Sequence, residues 1–288
     1  MDEAWLDDFL AAEGLPEAFR ATLDLTCAPL AELAAQAHTA KGATAIVALC
    51  GAQGSGKSTV AAATARMLEA RGLATAVLSL DDLYLPHAAR ERLAREVHPL
   101  LITRGPPGTH DVELGLQTLN ALARERRIAL PRFDKAADNP APPLARPAFQ
   151  GPADVILFEG WCVGARAQPR EALRAPVNAL EAREDADGRW RRFVNTALAT
   201  AYPSLFDRHD VLALLAAPSF EVVAGWRAEQ EAKLRARTGG GMDEAQIARF
   251  VAHYERLTRW ILDEMPARAD RVFALDAERK PLLNLSRR

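Results

Sequence analysis

Cysteine is scarce: Cys27, Cys50 and Cys162 are widely spaced among 288 residues and form no CxxC pair. A disulfide framework or a structural zinc is therefore not expected, and a reducing cytoplasm fits the usage. Charge of one sign is lacking too, with a formal net charge of −2 and acidic and basic residues mixed along the chain. That leaves no broad surface for nucleic acid or an anionic membrane, so any basic site must be local. No apolar run approaches the roughly 20 residues that span a bilayer. The opening MDEAWLDDFL is acidic where a secretion signal is basic. No Gly/Ser or Pro-rich linker halves the chain, and no internal repeat occurs. What remains reads as a soluble protein of ordinary globular composition, 49% hydrophobic and 26% charged.

Residues 1–40 read as a helical cap on the rest of the chain, with Trp5, Leu6, Phe9 and Leu10 on one face, Gly14 as a stop and Pro16 restarting the chain. From Thr44 the pattern changes to short apolar runs over 44–50, 73–79, 128–133, 155–158, 211–216 and 272–275, alternating with amphipathic stretches. Runs apolar on both faces are the signature of buried parallel strands. Between them, helices are expected over 59–71, 112–126 and 243–265, the last opening on the capping-box pair Asp243 and Gln246. The alternation predicts an α/β fold, a doubly wound and mostly parallel sheet flanked by helices, in one domain over 41–288. Two irregular stretches, 98–110 and the proline-rich 136–152, read as binding loops.

The strongest motif is Gly51-Ala52-Gln53-Gly54-Ser55-Gly56-Lys57-Ser58, which fits G-x-x-x-x-G-K-[ST] at every fixed position between an apolar strand and a helix opening at Thr59. Backbone N–H groups must curl around phosphate oxygens there, which calls for glycine where a Cβ would collide, and the helix N-terminus adds its dipole. Lys57 is placed to reach the β/γ oxygens and Ser58 to ligand Mg²⁺. Alone, the motif leaves open whether water or a metabolite accepts the phosphoryl group.

Three carboxylates point to a hydroxyl acceptor. The strand 73–79 runs into Asp81-Asp82-Leu83-Tyr84 at the sheet edge beside the phosphate loop, where open α/β sheets bind ligands. Asp81 there can take the proton of an attacking hydroxyl, while Asp82 suits a helix cap before 88–97. Val155 to Phe158 ends in Glu159 and Gly160, a Walker B arrangement with Glu, which completes a Mg²⁺ shell or orients the nucleophile. Asp134 closes the run 128–133 in the same way, and Arg132 and Lys135 beside it put positive charge near that edge, suiting an anionic substrate.

Taken in order, GAQGSGKST, SLDDLY, RGPPGTHD, LPRFDK and ILFEGW resemble the D-glycerate 3-kinase branch of the uridine kinase, phosphoribulokinase and bacterial pantothenate kinase superfamily, over about residues 44–276. The resemblance implies a P-loop kinase fold using ATP and Mg²⁺. It puts Asp81 at the catalytic carboxylate, Glu159 at the Walker B acid, and Lys57 and Ser58 at the phosphate and Mg²⁺ positions. It puts Arg104, His110 and Asp111 on the acceptor side. A lid over about 226–245 is implied as well, carrying Arg227, Lys233 and Arg235 before the glycines of 239–241.

The expected activity is transfer of the γ-phosphoryl group of ATP to a hydroxyl of a small polar, anionic metabolite, with glycerate the favoured acceptor, by a monomer or homodimer. A nucleoside acceptor would need an aromatic platform, for which Tyr84, Phe133 and Trp161 are the candidates. A pantothenate-like or sugar-phosphate alcohol would keep the same mechanism. A non-catalytic ATP switch would have no need of the hydroxyl base at Asp81.

Overall fold

The strands form because their sequences are apolar on both faces. In a computed structural model describing residues 4–238 and 241–283, β1 (Ala45–Gly51) is buried along its whole length. It lies at the centre of a five-stranded parallel sheet with β2 (Thr75–Ser79), β3 (Val155–Gly160), β4 (Val211–Ala216) and β5 (Arg271–Ala274), in the order β2-β3-β1-β4-β5. Alternate residues feed two cores, one on each face: Ile46, Ala48 and Cys50 with Ile156 and Phe158, and Val47 and Leu49 with Val155 and Leu157. Helices Val112–Leu122, Arg189–Thr200 and Glu255–Glu264 cover the first face. Helix Lys57–Glu69 and the N-terminal helices cover the second, Leu6, Leu10, Leu23, Cys27 and Leu30 sharing a core with β1. Among the described residues no helix is long and apolar enough to cross a membrane.

The register aligns the carboxyl ends of the strands. Ser79 and Leu49 both pair with Glu159, and Gly51 pairs with Leu215. The phosphate loop, Glu159 and the segment after Ser79 therefore open onto one edge, with β3 standing between the strand of Asp81 and the strand of the loop.

Three expectations are corrected. The run 128–133 is not a sheet strand: Pro131 interrupts it, and its pieces Arg127–Ala129 and Phe133–Asp134 form two small antiparallel hairpins with Ala148–Gln150 and Asn139–Pro140. The stretch 243–265 is two helices, Glu244–Ala252 and Glu255–Glu264, although the Asp243 and Gln246 capping box is present. Asp82 caps no helix, since helix His87–Glu96 opens on Pro86 without a side-chain cap.

Candidate active site

The loop from Gly51 leaves β1 and turns through two glycines of positive φ, Gly54 at 78° and Gly56 at 85°, the latter capping helix Lys57–Glu69. A Cβ at Gly54 would stand 2.6 Å from Trp226 Cβ, so the helix Glu221–Thr238 presses directly on the loop. Ala52 and Ser55 are buried, and the Ser55 hydroxyl and both amide atoms of half-buried Gln53 have no partner. Unpaired polar groups in a strand-to-helix turn are what an anion-binding cradle leaves for its ligand.

Next to the loop, the Ser58 hydroxyl donates to Glu159 Oε1 at 2.9 Å. The carboxylate of Glu159 is buried and its Oε2 has no partner. Burial pushes its pKa up and negative Asp81 adds to this, while Lys57 opposes both. Two hard oxygen donors in contact, one of them a buried carboxylate with a free lone-pair side, fit a Mg²⁺ ion.

Asp81 lies two residues past β2, in the short helix Leu80–Leu83, where its N–H donates to Ser79 Oγ at 3.3 Å. Each carboxylate oxygen is engaged: Tyr84 donates to Oδ1 at 2.8 Å and Lys135 to Oδ2 at 2.8 Å. Burial alone would raise its pKa, but the ammonium groups of Lys135 and Lys57 outweigh that and hold the carboxyl below its ordinary range. Lys57 acts electrostatically on both carboxylates, lowering the pKa of each, and Asp81 raises that of Glu159.

Asp82 instead anchors the hairpin segment, accepting from Arg132 Nη1 at 2.9 Å and from the N–H of Phe133 at 3.0 Å. Arg132 is thereby held beside Lys135. Asp134 is exposed and turned to its own backbone, accepting from the N–H of Ala136 and Ala137, so its position in an Asx turn replaces the expected place at the sheet edge. That turn is what presents Lys135. Asp111 is likewise committed locally, as the N-cap of helix Val112–Leu122, accepting from Leu114 N–H at 2.9 Å.

His110 is buried, stacked on Tyr84 at 4.7 Å, with Nδ1 2.5 Å from the Tyr202 hydroxyl and Nε2 without a partner. Burial lowers its pKa to about 3, so the ring is neutral. Arg104 bonds Asp138 Oδ1 at 2.6 Å, and Asp138 also holds Arg90 and His87, tying the proline-rich loop to the segment 104–111. Of the aromatic candidates, Tyr84 is spent on Asp81 and His110, Phe133 packs edge-on against Tyr84, and Trp161 is buried with its N–H on the Gly105 carbonyl.

The helix bearing the lid residues holds Arg227 against Glu231 and over the Phe250 ring, and Arg235 on the Met242 carbonyl at 2.6 Å. Both arginines point to the following segment. Their charges are not free in this arrangement, although Arg227 Nε has no partner. The Lys233 side chain and the glycines at 239 and 240 lie outside the described residues. Sequence reasoning missed Asp138, Tyr202 and Tyr254, whose hydroxyl donates to the Arg104 carbonyl. It noted Lys135 only as local charge, without its place on Asp81.

Comparison with known proteins gives the same picture. Residues 46–167 match the model of the phosphoribulokinase / uridine kinase family. The chain is 34% identical over 219 residues to the uncharacterized kinase mug58 of Schizosaccharomyces pombe, covering 73% of this chain and 78% of that one. It is 30% identical over 258 residues to the chloroplastic D-glycerate 3-kinase of Arabidopsis thaliana, covering 83% of this chain but 54% of the relative. A solved D-glycerate 3-kinase from Cryptococcus neoformans superposes with a TM-score of 0.72 at 25% identity, covering 89% of this chain and 97% of that one. With its parallel sheet, its phosphate loop and this similarity, the chain belongs to the phosphoribulokinase and uridine kinase family of P-loop kinases.

Proposed function

We propose that the protein transfers the γ-phosphoryl group of ATP to a hydroxyl of a small anionic hydroxy acid, with D-glycerate the favoured acceptor. One observation carries this reading. Asp81, held in its charged form by Lys135 and Lys57, is bridged at 2.8 Å by Lys135, a cation on an exposed turn that a substrate carboxylate can attract. The D-glycerate 3-kinases among the relatives support the choice of acceptor.

In this reading the loop amides of 51–59 and Lys57 bind the β- and γ-phosphates. Ser58 and Glu159 would hold Mg²⁺, which supplies neutralising charge on the phosphate oxygens. The acceptor carboxylate pairs with Lys135, assisted by Arg132 and Arg104, and its hydroxyl sits against Asp81. That oxygen bonds to the γ-phosphorus as its proton passes to Asp81, and the β–γ bridging oxygen leaves with ADP. As Lys135 turns to the substrate, Asp81 loses part of the charge that depresses its basicity, so base strength rises only when an acceptor is present. Tyr84 keeps the carboxylate oriented, and His110 and Tyr202 support Tyr84 from behind. Arg227 can complete the charge cage if the lid helix shifts and releases it from Glu231.

The test is ADP release from purified protein with ATP and Mg²⁺ against glycerate, other hydroxy acids, uridine, pantothenate and sugar alcohols, with Lys57→Ala as control. Turnover that depends on a hydroxy acid and vanishes in the control supports the proposal. Turnover with uridine or pantothenate alone would replace the acceptor, and acceptor-independent hydrolysis alone would reject transfer to a hydroxyl.

A further inference from the structure

Two of the cations offered to the acceptor carboxylate are held in unlike ways. Lys135 rests on Asp81 itself, whereas Arg104 rests on a carboxylate outside the reacting groups, with its Nη1 2.6 Å from Asp138 Oδ1. We propose that Asp138 is a positioning residue of the phosphoryl transfer, which aims Arg104 at the anionic end of the acceptor and has the buried Arg90 as its fixed point. The inference rests on the kinase reading with an anionic acceptor, and adds to that site two residues that touch no substrate atom.

Arg104 stands in the neighbourhood of the base. Its guanidinium lies 5.7 Å over the Phe133 ring, Phe133 meets Tyr84 edge-on at 5.3 Å, and Tyr84 donates to Asp81. Its backbone is fixed, since the Tyr254 hydroxyl donates to its carbonyl at 3.0 Å. The side chain is 29% exposed, open enough to meet an incoming anion. A long side chain anchored only at its backbone samples many rotamers, and ordering it at the moment of binding would weaken the acceptor's hold. The bond to Asp138 orders it beforehand.

Asp138 can do this because it is held from the other side. Its Oδ2 lies 2.7 Å from Arg90 Nη2 and 2.7 Å from His87 Nδ1. Arg90, on helix His87–Glu96, is buried, and it donates through Nε, Nη1 and Nη2 to the carbonyls of Leu85, Ile102 and Asp138. One guanidinium therefore ties together the segment after Asp81, the segment before Arg104 and the turn that carries Lys135. A buried guanidinium needs a counter-charge, and Asp138 supplies it. Burial alone would raise the pKa of Asp138, but hydrogen bonds from Arg90, His87 and Arg104 outweigh that and keep it ionised. Two guanidinium groups share this one carboxylate, so the cluster keeps positive charge for an anion. The backbone at Asp138 is left-handed, with φ 52°, a conformation that Asp and Asn adopt more readily than other residues with a side chain.

Asn suits the same left-handed turn, so Asp138→Asn leaves Lys135 in place and removes the charge that holds Arg104. Steady-state assays with glycerate varied at saturating ATP compare Asp138→Asn, Arg104→Met and the two combined. We expect the glycerate KM to rise about tenfold in Asp138→Asn, with the ATP KM unchanged and kcat within about threefold of wild type. The combined variant should show no higher KM than Arg104→Met alone, because Asp138 acts through Arg104. Modification by phenylglyoxal, mapped by mass spectrometry, needs no acceptor: Arg104 should react about threefold faster in Asp138→Asn, while Arg132, held by Asp82, keeps its wild-type rate. Should the unbalanced charge of Arg90 keep Asp138→Asn from folding, Arg90→Met combined with Asp138→Asn removes both charges and should show the same rise in KM. An unchanged glycerate KM overturns the inference, as do effects that multiply in the combined variant or an unchanged Arg104 rate. Faster modification of Arg104 with no hydroxy acid phosphorylated would reject the acceptor reading and leave the hold of Asp138 on Arg104 standing.

Discussion

Replacing Lys135 with Met isolates the acceptor side of the site. Its Nζ lies 2.8 Å from Asp81 Oδ2, and its side chain is 58% exposed. An ion pair that open to solvent contributes about 0.2–1 kcal/mol to stability, so the variant should fold normally. Asp81 loses one of the two ammonium groups that depress its pKa, so that pKa rises. Because that pKa starts below the ordinary carboxylate range, the base stays ionised at neutral pH and kcat should change little. The substrate carboxylate, however, loses a charge-assisted hydrogen bond worth about 1.5–3 kcal/mol, which is roughly 10- to 100-fold in KM. Coupled ADP assays with glycerate varied at saturating ATP should therefore show a raised acceptor KM, an unaltered ATP KM and partial recovery in Lys135→Arg. An unchanged glycerate KM would refute the role of Lys135.

Gly54→Ala should lose ATP binding and about 1–3 kcal/mol of stability, read by calorimetry and thermal melting, because φ is 78° and the new Cβ would meet Trp226 at 2.6 Å. His110 is neutral when folded, with a pKa lowered to about 3, so the unfolded chain binds the extra proton between that value and about 6.5. Stability should therefore fall on acidification, by about 2 kcal/mol between pH 6.5 and 5, and a melting series should be flatter over this window in His110→Gln. The thiols of Cys27 and Cys50 are buried, with pKa values pushed up to about 12, and should resist iodoacetamide at pH 8 until the protein is denatured, as read by mass spectrometry.

The phosphate loop was fully legible because its glycines, lysine and serine answer to local geometry, and the strands that frame it are apolar on both faces. The run 128–133 misled because its apolar content matched a strand, whereas Pro131 cannot serve a central ladder and the segment builds hairpins that carry Arg132 and Lys135. Asp111 and Asp134 misled differently. A carboxylate that satisfies its own backbone reads the same as one that faces a ligand, although Asp111 just before Val112 stands at an N-cap position and could have been recognised as such. The partnership of Arg104 with Asp138 bridges 34 residues and leaves no local signal.

Asp81→Asn tests the account most directly, because it keeps the shape of the side chain while removing the proton acceptor. With glycerate as acceptor, kcat should fall about 10²- to 10⁴-fold while the calorimetric Kd for ATP stays at the wild-type value. Wild-type turnover in this variant would contradict the assignment of Asp81 as the base, and with it the chemistry placed at this edge of the sheet.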